Sequence, residues 1–152
     1  MLIELLGLRD QPTSGLDWHD VISAGFTPSS IRALAKALRV SPEDVCDLIG
    51  VNPSILSKTG KAQRLSLHES NFLYRIAVAF HRLMVPLKKE TACVSWLRNP
   101  QPMLKGRIPV LLLSTHIGTE YVYTAIARIP EEKVVAPASQ APDADEEEDL
   151  VD

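Results

Sequence analysis

Three dipeptides, Thr27-Pro28, Ser41-Pro42 and Asn52-Pro53, constrain this chain more tightly than any other feature in it. Each puts a side-chain oxygen where a helix N-cap needs an acceptor, and a proline at the first helical position, where its absent N–H is not missed. Helices are therefore expected to start at 28, 42 and 53. Ser41 and Asp44 have capping-box-like spacing, and Ser66 with Glu69 marks a fourth start. The expectation is an all-α fold, a helix-turn-helix domain followed by a small helical domain.

An earlier short helix opens at Asp17 and Trp18 and runs to Ala24, with Gly25 just past its end. In 28–39, Ile31, Leu34, Ala35 and Leu38 share one face; in the next helix Val45, Leu48 and Ile49 do. Gly50-Val51-Asn52 forms a three-residue turn, and Pro53 starts a short helix carrying Ile55 and Leu56 inward. That order is a helix-turn-helix plan. Its second helix leaves Ser54, Ser57, Lys58 and Lys61 free and Thr59 partly free, with Arg64 just beyond. Small hydroxyls and bases reach phosphate oxygens, and Lys or Arg also contacts guanine, which makes this face the candidate DNA-binding surface. Gly60 limits the helix, and few Arg, Asn or Gln side chains are available for bidentate base reading, so a solvated face of a helical core that no longer binds DNA is the alternative.

From 65 to 85 the chain is apolar nearly all round: Phe72, Leu73, Ile76, Ala77, Phe80, Leu83 and Met84 form the main stripe, with Tyr74, Val78 and Ala79 beside it. Such a helix is buried on more than one face, centrally or partly against another subunit. Pro86 is expected to stop it. A helix over 88–98 carries Ala92, Val94, Trp96 and Leu97, and leads into Asn99-Pro100-Gln101-Pro102, Gly106 and Pro109 before the apolar run 110–113. A Trp, three prolines and a glycine in fourteen residues specify one backbone path, either a connector or a shaped surface. A last helix over 120–129 turns Tyr121, Val122, Ala125 and Ile129 inward, and Pro130 ends it.

Charge is segregated. Residues 130–152 hold nine acids against Lys133 alone, −8, so the preceding 129 residues carry +5 and the net charge is −3. The segment 50–107 has ten bases against Glu69 and Glu90 and suits nucleic acid, an acidic partner or the chain's own tail equally. After Pro130 the chain has no aromatic residue and cannot bury enough surface to fold alone. No apolar run approaches the roughly 20 residues that cross a bilayer. The opening MLIELLGLRDQ has Glu4 and no basic leader or cleavage site, which argues for a cytoplasmic protein. Cys46 and Cys93 sit in apolar helical patterns, as buried reduced thiols do. His19, His68, His81 and His116 lie far apart, and Gly60-Lys61 lacks the glycine of a phosphate loop. With no catalytic, metal or cofactor constellation, an enzyme is disfavoured.

Most of the chain, from about 21 to 129, resembles the antitoxin family that joins an Xre-type helix-turn-helix to the MbcA/ParS/Xre toxin-binding domain. The resemblance rests on LAKALRVSPEDVCDLIGVNPSILSK, the junction RLSLHES and, above all, WLRNPQPMLKGRIPVLLLSTHIGTEYVYTAIARI. In that last stretch the family's ordered positions fall on Trp96, Pro100, Leu104, Gly106, Pro109, Leu112, Leu113, Thr115, Gly118, Val122, Arg128 and Ile129. Two positions depart from it: Gln101 stands where asparagine is usual, and Ile108 replaces the Thr that caps the helix at Pro109, a loss of about 1 kcal/mol.

The resemblance implies a bacterial, dimeric, all-helical antitoxin of a type II system that blocks a toxin with its C-terminal domain and represses its operon through the helix-turn-helix. The commonest partner implied is a RES-domain toxin that destroys NAD; an ADP-ribosyltransferase-like toxin is the other. The expected organisation is a pairing or docking segment over 1–16, the Xre-like domain over 17–64, the toxin-binding domain over 65–129 and an acidic tail over 130–152. Trp96 and Leu104 fill the core, while Pro100, Gly106, Pro109 and Gly118 set the path above it. Arg98, Gln101, Lys105 and Arg107 are the exposed candidates for toxin contact, with Arg128 and Lys133 at the C-terminal end. The rival readings are a regulator without a toxin and a toxin binder with a relic DNA-binding domain. The tail either folds back over the bases between 58 and 64 or is a solvated solubility tail.

Overall fold

A computed structural model describes residues 1–57 and 63–131. Among them are eight α-helices, α1 (Leu2–Leu5), α2 (Gly15–Ala24), α3 (Pro28–Leu38), α4 (Pro42–Ile49), α5 (Leu67–Leu87), α6 (Glu90–Arg98), α7 (Pro109–Leu112) and α8 (His116–Ala127), and no strand. The fold is all-α, an N-terminal helix-turn-helix unit followed by a helical C-terminal unit.

Local capping chemistry sets most of the starts. Ser41 and Asp44 close a reciprocal capping box on α4, as do Ser66 and Glu69 on α5. α2 begins two residues before the expected Asp17 because Ser14 is its N-cap and Asp17 its box partner. Bonds from the Thr13 and Ser14 backbones and the Thr13 hydroxyl hold the Asp17 carboxyl below its ordinary pKa, the Thr13 backbone bond first. Thr27 departs from the expectation. Its hydroxyl meets Ser29 Oγ at 2.7 Å and makes no cap bond, so Pro28 starts α3 without side-chain help. α3 stops at Leu38, with Arg39 at φ 60°.

α5 is the spine, in contact with α1, α2, α4, α6 and α8. Phe72, Leu73, Ile76, Phe80 and Leu83 are buried along it, which is why its sequence is apolar nearly all round. Pro86 does not stop this helix. It lies inside the last turn, where it forfeits only the donor that Arg82 O would have received, and its buried ring offsets that loss. The helix ends at Leu87, and Lys88 caps it at φ 67°, so α6 begins at Glu90 and not at Lys88.

One apolar cluster runs from Leu5 to Ile126 through both units. Leu5 and Leu6 of the opening segment are buried in it, and Leu6 O accepts from Ser30 Oγ at 2.6 Å. Phe26, fully buried, ties the units together: its N–H donates to Ser70 Oγ (3.0 Å) and its carbonyl accepts from Leu65 N (2.8 Å). Cys46 and Cys93 are free and buried. Burial raises both thiols, Cys93 to about 11.

Candidate functional site

α3 and α4 pack against each other, and Gly50 at φ 81° turns the chain toward the second element of the helix-turn-helix. That element is a 3-10 turn, Pro53–Ser57, and not the short α-helix expected. Asn52 Oδ1 accepts from Ser54 N at 2.9 Å and opens it; Leu56 is buried beneath it and Ile55 half-buried. Ser54 and Ser57 are exposed, but the Ser57 hydroxyl donates to Ser54 O at 2.9 Å. Arg64 is not a free cation at the edge: its Nη1 donates to Gly25 O at 3.0 Å. Arg32, which sequence reasoning did not single out, donates through Nη2 to Leu56 O and holds the 3-10 turn onto α3. Lys58 and Lys61 lie outside the described residues.

The second candidate surface begins where α6 ends. A tight loop follows, bridged by Gln101 N to Arg107 O (3.1 Å) and closed by a 3-10 turn, Pro102–Leu104. Lys105 (φ 56°) and Gly106 (φ 79°) turn the loop back. Gln101, expected to face a partner, is folded inward: its Nε2 donates to Trp96 O (2.9 Å) and Asn99 O (3.2 Å). The amide replaces hydrogen bonds that a chain broken by Pro100 and Pro102 cannot make for itself. Trp96 is half-buried and packs on the core edge, while Leu97 and Leu104 are the buried members. Arg98, Lys105, Arg107 and Arg128 are exposed, and Lys133 lies outside the described residues.

α7 starts at the buried Pro109 with no side-chain cap from Ile108. Thr115 then caps α8, its Oγ1 accepting from Gly118 N at 2.9 Å. Gly118, Val122, Ala125 and Ile126 form the inward stripe. Tyr121, expected to point inward, is instead 64% exposed, because at about 100° per residue it falls outside that stripe. Ile117 is 70% exposed and Met103 49%. These three line a groove of about 400 Å³, with Leu104 and Leu112 among its other apolar residues and Lys105 and Arg107 at its edge. A neighbouring hollow of about 390 Å³ shares Met103 and Tyr121 and reaches Arg128. Glu120 also lines this hollow, its carboxylate 3.1 Å from His116 Nε2. Large exposed apolar side chains with a cationic rim are the composition on which protein partners dock.

Sequence reasoning did not single out Met103 or Ile117 and turned Tyr121 inward, whereas all three are exposed. The available signal was the four-residue step from Ile117 to Tyr121, one face apart from the Val122 stripe. In a separate hollow beside Val85 and Pro86, the exposed Arg82 lies 4.1 Å over the half-buried Tyr123 ring, whose hydroxyl burial pushes to about 12 against the pull of Arg82.

Residues 17–78 match the model of the antitoxin Xre-like helix-turn-helix domain. Residues 88–130, the segment that builds the groove, match that of the antitoxin Xre/MbcA/ParS C-terminal toxin-binding domain. The chain belongs to the Xre-type antitoxins. Its two domains are those of a type II antitoxin, which takes a cognate toxin as partner. Both families are antitoxins and DNA-binding regulators and not enzymes. Among curated proteins no match to the antitoxin was found. Among its described residues no helix is long and apolar enough to cross a membrane.

Proposed function

We propose that the antitoxin neutralises a RES-domain toxin that degrades NAD, by seating toxin on the Met103, Ile117 and Tyr121 groove, and that it represses its own operon as a cytoplasmic homodimer. The observation that carries the reading is the position of the groove: it lies in the segment matching the toxin-binding family and exposes three large apolar side chains inside a cationic rim. Arg98, Lys105, Arg107 and Arg128 steer an acidic partner to it. Blocking a cleft is sufficient, so the antitoxin needs no chemistry of its own. In this reading residues 17–64 serve the operator and 65–129 the toxin, with 1–16 docked on α3 and α5 and 130–152 as an acidic tail.

The test is co-expression with the neighbouring open reading frame. Its product alone should arrest growth and deplete cellular NAD, and the antitoxin should co-purify with it and restore both. A co-purifying toxin that leaves NAD intact removes the RES assignment and keeps the antitoxin; a neighbour that is neither toxic nor bound removes the toxin reading.

A toxin binder with a relic DNA-binding domain is the second reading. It is favoured by the 3-10 geometry over Pro53–Ser57 at the reading position and by Arg32 and Arg64 donating to backbone carbonyls. Anisotropy titrations with the upstream operator at two salt concentrations separate the two: undetectable or salt-insensitive binding selects the relic.

A further inference from the structure

The groove has a candidate occupant within the same chain. Lys105, Arg107 and Arg128 stand around Met103, Ile117 and Tyr121, and none of the three bases is in an ion pair with a described residue. A complementary segment would present one or two apolar side chains among several carboxylates. Residues 143–152, DADEEEDLVD, have that composition: seven acids surround Leu150 and Val151, the only large apolar residues after Val135.

We propose that residues 143–152 dock in cis on this groove, with Leu150 and Val151 over Met103, Ile117 and Tyr121 and the carboxylates facing Lys105, Arg107 and Arg128. Reach favours it. Leu150 stands nineteen positions beyond Glu131. A flexible chain of that length has an end-to-end distance of about 24 Å. The path from Glu131 back along α8 to Ile117 is about 20 Å. A tether whose natural length matches the span it must cross has its highest effective concentration, of order millimolar, so an intrinsic Kd of about 1 mM already fills the groove roughly half the time. Two apolar side chains and a few screened ion contacts are enough for so weak a site. A toxin entering the groove then has to displace the segment. The docking itself needs only the antitoxin and stands whatever the toxin's chemistry proves to be.

The test uses the full chain with Ala144→Cys carrying a nitroxide spin label. Cys46 and Cys93 are buried, so the added thiol is the one labelled under native conditions. Expected is a fall of the Ile117 and Tyr121 amide signals to about half or less of the reduced-label spectrum, with Leu16, an exposed residue of α2, unchanged. The signals should recover in 0.5 M salt and in a chain that also carries Leu150→Ser and Val151→Ser. Equal broadening at Leu16, broadening confined to other basic residues, or broadening that survives the double substitution overturns the proposal. So does broadening seen only when labelled chain is mixed with unlabelled isotope-enriched chain, which assigns the groove to a second copy.

Discussion

The Gly118 backbone lies against the carbonyl of Leu112, six residues earlier, so closely that a Cβ on residue 118 would overlap that oxygen and come within 3.0 Å of its carbon and 2.9 Å of Thr115 Oγ1. The approach lets α7 fold directly back onto α8 and sets the angle at which Ile117 and Tyr121 leave the surface. Gly118 is a close-packing residue, and its backbone needs no left-handed conformation.

Gly118→Ala is therefore expected to destabilise the fold by about 1–3 kcal/mol through overpacking. The usual gain of about 1 kcal/mol for alanine over glycine in a helix has the opposite sign. Urea unfolding of the two proteins measures the difference, and a more stable variant would show that the Leu112 to Gly118 contact relaxes freely.

Tyr121→Asp should leave stability within about 0.5 kcal/mol, because the ring is exposed. Toxin binding should weaken by more than about 2 kcal/mol, roughly thirtyfold, as for a central aromatic anchor. Calorimetric titration of purified toxin checks it; unchanged affinity moves the interface away from the groove.

Arg64 and Lys58 should separate by kind of effect. Arg64→Ala removes the bond to Gly25 O and costs about 1 kcal/mol of stability in chemical denaturation. Lys58→Ala should leave stability alone, weaken operator binding across sequences and lower the salt slope by about one. A slope unchanged by Lys58→Ala rules that lysine out as a phosphate contact.

Stability should fall between about pH 9 and pH 11. Cys93 is protonated in both states below its ordinary pKa of 9.0; between that and about 11 only the unfolded chain ionises, which draws the equilibrium toward unfolding. Cys93→Ser should flatten the part of this fall that the thiol contributes. Thermal unfolding from pH 8 to pH 11 reads it, and identical slopes for both proteins would refute the assignment to Cys93.

The starts of α3, α4 and α5 were legible in the sequence because their signals are local: Pro28 sits at a first helical position, and Ser41 finds Asp44 and Ser66 finds Glu69 within three residues, whereas α8 begins at His116, four residues before the expected Glu120. The central, many-sided burial of α5 was legible for a similar reason, since an apolar surface all round admits no solvated position. Ser14 and Asp17 carried the same local signal one turn earlier than it was read.

The candidate sites were less legible because their residues are assigned by partners far along the chain. Nothing near Arg64 in sequence says that its guanidinium belongs to Gly25, thirty-nine residues away, or that Arg32 belongs to Leu56. Gln101 reads as an exposed polar residue until the loop closes and its amide meets Trp96 O. Tyr121 reads as core until α7 and α5 take the Val122 side of α8, leaving the ring beside Met103 in the groove. The sequence by itself determined the helical fold, its order and its family; tertiary packing alone decided which polar groups were consumed as backbone partners and which apolar ones remained at the surface, because those outcomes depend on contacts that no local pattern encodes.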